Sequence, residues 1–163
     1  MYDPEKAHYI VITGILVKDG KFLITKRSPN EKAFPNQWTV PGGKLEMSDY
    51  TKRPKDTSAH WYNVFEDVLQ REVKEEVGTG IKNIGYVTSL AYIRDDNIPT
   101  IIVSLYGEPE GKEIKLCSAL TEYAWVTLEE AKNYDLIEGI YEELEMLDKL
   151  LKEGEFSTWQ RKE

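Results

Sequence analysis

The stretch from Phe65 to Val77 places the strongest constraint on how this chain can fold, because it places negative charge among apolar side chains. At about 100° per residue on a helical wheel, one broad arc collects Phe65, Val68, Leu69, Val73 and Val77. Glu72 and Glu76 fall inside the same arc, whereas Lys74 points away from it. Like charges at i and i+4 repel on a wet surface, and half-burying them raises the repulsion towards about 4 kcal/mol. No cation of this helix face is expected to neutralise the pair.

Two interpretations of this helix compete. Most glutamate-rich runs are solvated faces, and a solvated face would place its carboxylates opposite the valines. Here the carboxylates lie among the valines, which favours a positively charged ligand. Oxygen ligands without sulfur are typical of hard cations such as Mg²⁺ or Mn²⁺. The helix therefore predicts a carboxylate site for a divalent metal.

The sequence around this helix resembles the Nudix box, whose pattern is G-x5-E-x7-R-E-U-x-E-E-x-G-U with U a bulky apolar residue. The C-terminal half matches in REVKEEVG, residues 71–78, and Thr79 stands at the last U position. The segment NQWTVPGGKLE, residues 36–46, resembles the lead-in to the box and supplies Gly43 as its first glycine.

The two halves of the box are further apart than in the family. Arg71 follows Gly43 by 28 positions where the pattern has 14, so 14 residues are inserted. The early glutamate has two candidate replacements, Asp49 counted from Gly43 and Asn63 counted back from Arg71. In the family this glutamate is mainly a structural partner of the arginine. The partner of Arg71 is therefore left open.

The resemblance implies roles for residues on both sides of the insertion. Glu72, Glu75 and Glu76 would carry the catalysis and bind the metal. The carbonyl of Gly42, just before the box, would add a metal ligand. Glu46 follows on the same loop and is a candidate outer ligand of the metal.

Substrate contacts are expected at two places. By resemblance to the strand hairpin that opens the family's fold, Arg27 would reach a substrate phosphate; the alternative is a surface charge at a strand end. The insertion, residues 48–62, carries Lys52, Arg53 and Trp61 at the rim of the predicted site, where cations meet phosphates and rings stack on a base. The alternative is that its aromatic residues pack on the body or on a second subunit.

Length and charge narrow the class of protein. A chain of 163 residues with 40% hydrophobic residues predicts a single globular domain, 1–163. The first apolar run, residues 9–17, is too short to span a bilayer and lacks a cleavage site, so we expect a cytoplasmic protein that does not enter the membrane. Cys117 is the only cysteine, which excludes an internal disulfide.

The net charge of −8 opposes the binding of nucleic-acid polymers and favours a metal-bound nucleotide as partner. A homodimer is left open.

The order of elements predicts an α/β fold, and the resemblance implies the Nudix-type α/β/α sandwich with a mixed β-sheet. A hairpin through Asp19-Gly20 joins the first two strands, and Gly14 within the first of them predicts a bulge or the close approach of a ligand. The remaining predicted elements are strands 38–40, 84–94, 99–107 and 122–126, a short helix capped by Thr127, and a C-terminal helix over 137–151.

The predicted reaction is metal-dependent hydrolysis of a diphosphate bond in a nucleoside diphosphate linked to another moiety, such as a nucleoside triphosphate, a nucleotide sugar or ADP-ribose. Water would attack phosphorus directly, with Glu72 as the first candidate base and Glu122 as the second. One alternative is a non-catalytic module of the same fold that binds a nucleotide or ADP-ribose, although such modules usually lose glutamates of the helix. An enzyme resembling isopentenyl diphosphate isomerase fits poorly, since it needs a reactive cysteine and more histidines than His8 and His60.

Overall fold

The computed structural model describes residues 1–163 and contains seven strands and four helices. The strands are β1 Tyr9–Lys18, β2 Lys21–Arg27, β3 Trp38–Thr39, β4 Gly42–Lys44, β5 Ile81–Ile93, β6 Pro99–Pro109 and β7 Leu120–Val126. The helices are α1 Ser48–Thr51, α2 Val64–Val77, α3 Leu128–Ala131 and α4 Ile140–Glu153. None of the helices has the length and apolar character that crossing a membrane requires.

Strand β1 lies at the centre of the sheet. The strand order is β3-β2-β1-β6-β5, with β4 pairing with β1 and β7 pairing with β2. Strand β1 runs parallel to β6 and antiparallel to β2 and β4. The sheet is therefore mixed, which confirms the predicted α/β class.

Two hydrophobic cores cover the two faces of the sheet. Successive residues of a strand point to opposite faces, so β1 contributes to both cores. Ile12 packs with Leu69 and other residues of α2, whereas Ile15 packs with Leu144 and Leu147 of α4. The sheet thus lies between α2 and α4, as in the predicted sandwich.

Gly14 marks the closest approach of α2 to the sheet. Its pairing with Leu105 of β6 continues the register of its neighbours, so β1 has no bulge at this point. A Cβ atom built on Gly14 would overlap Cδ1 of Leu69, a fully buried side chain of α2. The prediction of a bulge or of a close ligand is therefore wrong, because the neighbour that requires glycine is the helix.

Helix α2 begins after the insertion, at Val64. Asn63 precedes it in the left-handed conformation, with a φ of 56°, and makes no capping hydrogen bond through its side chain. Inside the insertion, Oγ1 of Thr57 accepts a hydrogen bond from the N–H of His60 at 2.9 Å. Strand β4 and helix α1 were not predicted, since three or four residues are too few to show a periodic pattern.

The packing at Gly14 gives a testable stability prediction. Gly14→Ala should lower the free energy of unfolding by about 1–3 kcal/mol through overpacking, and Leu69→Ala by about 2–5 kcal/mol through the cavity it leaves. In the double variant the added methyl group enters the space left by the leucine, so the total should fall short of the sum by about 1 kcal/mol or more. Urea unfolding measures all three variants. Strictly additive losses would mean that the helix and strand do not meet there.

Candidate functional site

Glu72 and Glu76 lie one turn apart on α2 and face the two glycines that begin β4. The backbone N–H of Gly42 donates a hydrogen bond to Oε1 of Glu76 at 3.3 Å. A Cβ atom on Gly43 would overlap the carboxylate of Glu72. The glycine pair therefore lets the backbone of β4 lie directly against both carboxylates.

Burial raises the pKa of both carboxyl groups. The pKa of Glu76 is raised to about 8 by burial and by repulsion from Glu72, while the Gly42 N–H and the charge of Arg27 act in the opposite direction. The pKa of Glu72 is also raised, mainly by burial, and Arg71 opposes this shift. The pair therefore cannot hold two full negative charges at neutral pH without additional positive charge.

Arg71 supplies part of that positive charge. Its Nη1 donates to Oε1 of Glu72 at 2.8 Å and to Oε2 of Glu75 at 3.3 Å. The expectation that no cation of this helix neutralises the pair is thus wrong for Glu72, because the long arginine side chain reaches back to its own helix face. Glu76 keeps only the hydrogen bond from Gly42 and the more distant charge of Arg27.

Asp49 is the structural partner of Arg71. Its two carboxylate oxygens accept from Nε and Nη2 of Arg71 at 2.5 and 3.3 Å, and its side chain is 2% exposed. Burial alone would raise the pKa of Asp49, but the hydrogen bond and charge of Arg71 hold it below its usual value. Of the two candidates for the early glutamate, Asp49 therefore fills the place, and Asn63 precedes the helix. The 14 extra residues therefore lie between Asp49 and Arg71, which are 22 positions apart where the pattern has eight.

Glu75 and Glu46 lie at a second, polar cavity beside this ion pair. The cavity has a volume of about 490 Å³, and its lining includes Glu46, Asp49, Lys52, Arg71 and Glu75. Its walls contain no hydrophobic residue. Across residues 1–163 no three acidic, histidine or cysteine side chains lie close enough together to hold a metal ion. The predicted ligands are thus divided between two neighbouring places and do not form a complete cage.

Arg53 fastens the insertion to the start of α2. Its guanidinium donates to Asp67 at 3.0 Å, to Asp56 at 2.8 Å and to the carbonyl of Tyr62. Lys52, in contrast, makes no ion pair and lines the polar cavity. The two neighbouring cations of the insertion therefore differ in how free they are to meet a ligand.

Trp61 lies inside the insertion and is half-buried. Its indole N–H donates to the carbonyl of Arg53 at 3.0 Å, and its ring lies 5.3 Å from that of Tyr50. The ammonium group of Lys55 lies 5.2 Å from the centre of the indole ring. All three contacts are made within residues 48–62, so they hold the insertion together, and both interpretations of its aromatic residues stay open.

Arg27 and Glu122 lie on the neighbouring strands β2 and β7. Nε of Arg27 donates to the carbonyl of Ala33 at 2.8 Å, and its Nη2 pairs with Glu31 at 3.5 Å. The charge of Arg27 also lowers the pKa of Glu76. Glu122 is exposed and pairs with Lys26 at 3.3 Å. It makes no hydrogen bond or ion pair with the glutamates of α2.

The raised pKa of Glu76 predicts how stability depends on pH in metal-free buffer. Between about pH 4.3, its value in an unfolded chain, and about pH 8, the folded protein binds more protons than the unfolded one, so stability should fall as pH rises. Glu76→Gln removes this charge and should leave the variant more stable than wild type at pH 8. Urea unfolding with a chelator at pH 5 and pH 8 measures the effect.

Glu75→Gln is the matched control on the same helix, because the side chain of Glu75 is 59% exposed. This variant should keep the wild-type loss of stability between pH 5 and pH 8. If Glu76→Gln showed that same loss, the two carboxylates would not be in conflict in the folded protein.

Comparisons with known proteins show the family and the fold. Residues 8–147 match the family model of the NUDIX domain. The nucleoside triphosphatase NudI of Escherichia coli K12 is 23% identical over 137 residues, which cover 77% of this chain and 86% of that protein, and NudI of Salmonella agona is 26% identical over 136 residues.

Two solved structures show the same fold. A MutT NUDIX hydrolase from Burkholderia pseudomallei gives a TM-score of 0.68 at 17% identity, over 87% of this chain and 99% of that one. The NUDIX domain of Shewanella oneidensis NrtR, solved in complex with ADP ribose, gives 0.68 at 18% identity, over 92% and 94%. Because the family model covers most of the chain and the divided box is rejoined through Asp49 and Arg71, this protein belongs to the Nudix hydrolase family.

Proposed function

We propose that the protein hydrolyses a diphosphate bond in a nucleoside diphosphate linked to another moiety, with the help of a divalent metal. The observation that carries the proposal is the pair Glu72 and Glu76, two carboxylates pressed against a glycine turn with pKa values raised by burial. The relatives named as nucleoside triphosphatases and the ADP ribose complex of the NrtR domain support a nucleotide derivative as the substrate.

The donors present fit Mg²⁺, with Mn²⁺ as the alternative. Glu72 and Glu76 would be the carboxylate ligands, Gly42 would add its carbonyl, and Glu46 and Glu75 would act from the neighbouring polar cavity. The division of these residues between two places agrees with Mg²⁺, which commonly takes one or two carboxylates and completes its shell with water and phosphate oxygens. When bound, the metal would neutralise the developing charge on the phosphate oxygens.

The side chains of this site would position water and move its proton. Glu72 is the proposed base, because a raised pKa brings a carboxylate closer to the neutral range in which a general base works best. Arg71 fixes the orientation of its Oε1 at 2.8 Å. Glu122 is the second candidate, but its side chain is exposed, pairs with Lys26 at 3.3 Å and makes no hydrogen bond or ion pair with the glutamates of α2. No serine, cysteine or histidine bonds to either carboxylate, so direct attack of water on phosphorus is proposed.

The four candidate substrate-binding residues differ in how far other contacts already occupy their side chains. Arg27, whose charge acts on Glu76, and Lys52 at the polar cavity are proposed to bind phosphate groups. Arg53 has its donors engaged by Asp56, Asp67 and Tyr62, so we propose that it acts on the substrate only by holding the insertion. For Trp61, stacking on a base remains a proposal. Cytoplasmic location and a single domain over 1–163 likewise stay predictions, and a homodimer is still left open.

Activity should depend on the carboxylate pair and on a divalent metal. With Mg²⁺ and a panel of nucleoside triphosphates, nucleotide sugars and ADP-ribose, Glu72→Gln and Glu76→Gln should each lower kcat by about 100-fold or more while keeping the fold. Glu153→Gln, at the exposed end of α4, is the control and should keep wild-type turnover. Reaction in H₂¹⁸O should place one label on a phosphate-containing product. Full turnover in both variants would remove the carboxylate pair from the mechanism, and no turnover of any substrate by wild type would leave the non-catalytic binding module as the better account.

Lys52 and Arg53 offer a matched pair of adjacent cations. Lys52→Ala should raise KM by about threefold to tenfold at unchanged stability, since it removes a free charge at the cavity. Arg53→Ala should instead lower the melting temperature, because three contacts that close the insertion are lost. Steady-state kinetics and thermal unfolding of both variants test this. A raised KM with unchanged melting temperature for Arg53→Ala would return that residue to direct substrate binding.

A further inference from the structure

The loop between β2 and β3, residues 28–37, is organised around Arg27. The backbone N–H of Arg27 donates to the carbonyl of Gln37 at 2.9 Å, and its carbonyl accepts from the N–H of Asn36 at 3.1 Å. Its side chain turns over the same loop, where Nε donates to the carbonyl of Ala33 at 2.8 Å. The loop therefore determines where the guanidinium of Arg27 lies.

A tight turn in this loop brings Glu31 back to the guanidinium. The sequence Ser28-Pro29-Asn30-Glu31 is typical of a β-turn, since proline at the second position fixes the backbone angle that the turn needs. The N–H of Glu31 donates to the carbonyl of Ser28 at 3.2 Å, and the N–H of Asn30 donates to Oγ of the same serine at 3.2 Å. The carboxylate of Glu31 then lies 3.5 Å from Nη2 of Arg27.

The nitrogen that faces Glu31 is the one that a phosphate group needs. A guanidinium binds phosphate through two parallel N–H bonds, which come either from Nε and Nη2 or from Nη1 and Nη2. Nη2 belongs to both pairs of donors. In Arg27 the carboxylate of Glu31 lies at Nη2, so neither pair of donors is free. A phosphate group can make a paired contact with Arg27 only after Glu31 has moved away.

The ion pair of Arg27 and Glu31 is strong enough to form and weak enough to be displaced. The two side chains are 26% and 34% exposed, so water screens their attraction less than it screens a fully exposed pair. The carboxylate of Glu31 makes no other hydrogen bond or ion pair, so only this contact is lost when it moves. A diphosphate group carries at least two negative charges where Glu31 carries one, and it can therefore take the place of the carboxylate.

We propose that Glu31 is a positioning residue of this site, which competes with the phosphate groups of substrate and product for Nη2 of Arg27. This inference rests on the hydrolase function proposed above, in which Arg27 binds a phosphate group. A bound substrate displaces the carboxylate of Glu31, and after hydrolysis the carboxylate returns to Nη2 and speeds the release of the product. The turn keeps Glu31 within reach throughout, because its two hydrogen bonds involve neither side chain of the ion pair.

A purely structural role of Glu31 makes the opposite prediction. If Glu31 served only to hold Arg27 in the orientation that phosphate requires, the loss of its charge would loosen the guanidinium and weaken phosphate binding. If Glu31 competes with phosphate, the same loss strengthens phosphate binding. The sign of the change in affinity therefore separates the two roles.

Calorimetric titration with methylenediphosphonate and Mg²⁺ measures that sign, because this probe is a non-cleavable diphosphate without base or sugar. Glu31→Gln should bind the probe about threefold to tenfold more tightly than wild type, and Glu31→Ala should change the affinity in the same direction. When Arg27→Ala is already present, Glu31→Gln should have no further effect, since the competition has lost its target.

Glu129→Gln is the matched control. It removes a carboxylate that pairs with Lys132 at 2.9 Å, and it changes the net charge of the protein by the same amount as Glu31→Gln. This variant should bind the probe as wild type does. Thermal unfolding checks that every variant is folded.

Steady-state kinetics extend the test to a substrate that the wild type hydrolyses. Glu31→Gln should lower KM and the inhibition constant of the phosphate-containing product by similar factors, without raising kcat, because the competition acts on both bound states alike. A fall in KM with an unchanged inhibition constant would contradict the return of Glu31 to Arg27 after the reaction.

Unchanged or weaker binding of the probe by Glu31→Gln overturns the proposal. Equal tightening in Glu129→Gln, or tightening that persists without Arg27, overturns it as well. Tighter binding of the probe by Glu31→Gln, combined with no turnover of any nucleotide by wild type, supports the competition and refutes the proposed hydrolase. Turnover by wild type with unchanged binding of the probe by Glu31→Gln does the reverse.

Discussion

The close contact between α2 and the centre of the sheet is the constraint on which the rest of this structure depends. It brings Leu69 onto Gly14 and the carboxylate of Glu72 onto Gly43. Four fully buried side chains hold the helix there, namely Val68, Leu69, Val73 and Val77. Each contributes about 1.5–3 kcal/mol on burial, and together they exceed the repulsion of about 4 kcal/mol between two half-buried carboxylates. The apolar face thus fixes negative charge where it would not otherwise remain.

The helix and its charge conflict could be predicted from sequence, because a 3.6-residue pattern over thirteen residues is strong. The partner of Arg71 could not be predicted, because Asp49 kept the spacing to Gly43 and Asn63 the spacing to Arg71, and only the fold brings Asp49 to the guanidinium. Gly14 was misread for a similar reason. A glycine in a strand indicates the close approach of another group, and the sequence alone does not show whether that group is a ligand or a helix.

Glu143, which is buried in the first turn of α4, was missed although its signal has the same form as that of Glu72. It lies three residues after Ile140 and four before Leu147, on the apolar stripe of α4. The same wheel that singled out the charged positions of α2 would have shown a carboxylate among leucines here. The surroundings of Glu143 could not be predicted without the sheet, because the hydroxyls of Thr13 and Ser104 come together only through the parallel pairing of β1 and β6.

The insertion shows how the ion pair of Asp49 and Arg71 tolerates a longer chain between its two residues. Asp49 and Arg71 meet across 22 positions, and Arg53 with Asp67 closes most of the same loop a second time. Loop-closure entropy grows only slowly with length, so these two contacts can hold both ends of the insertion against the body.

The parallel pairing of β1 with β6 determines when, during synthesis, the chain can complete its sheet. Strand β1 begins at Tyr9, but its neighbour on that side begins only at Pro99. Contacts between such distant segments form slowly, and they form last during synthesis from the N-terminus. A nascent chain released after Gly78 would contain the whole Nudix box and could form the hairpin of β1 and β2. It would still lack the strand that completes the sheet beneath α2, so the carboxylates of the helix would remain solvated until β6 has left the ribosome.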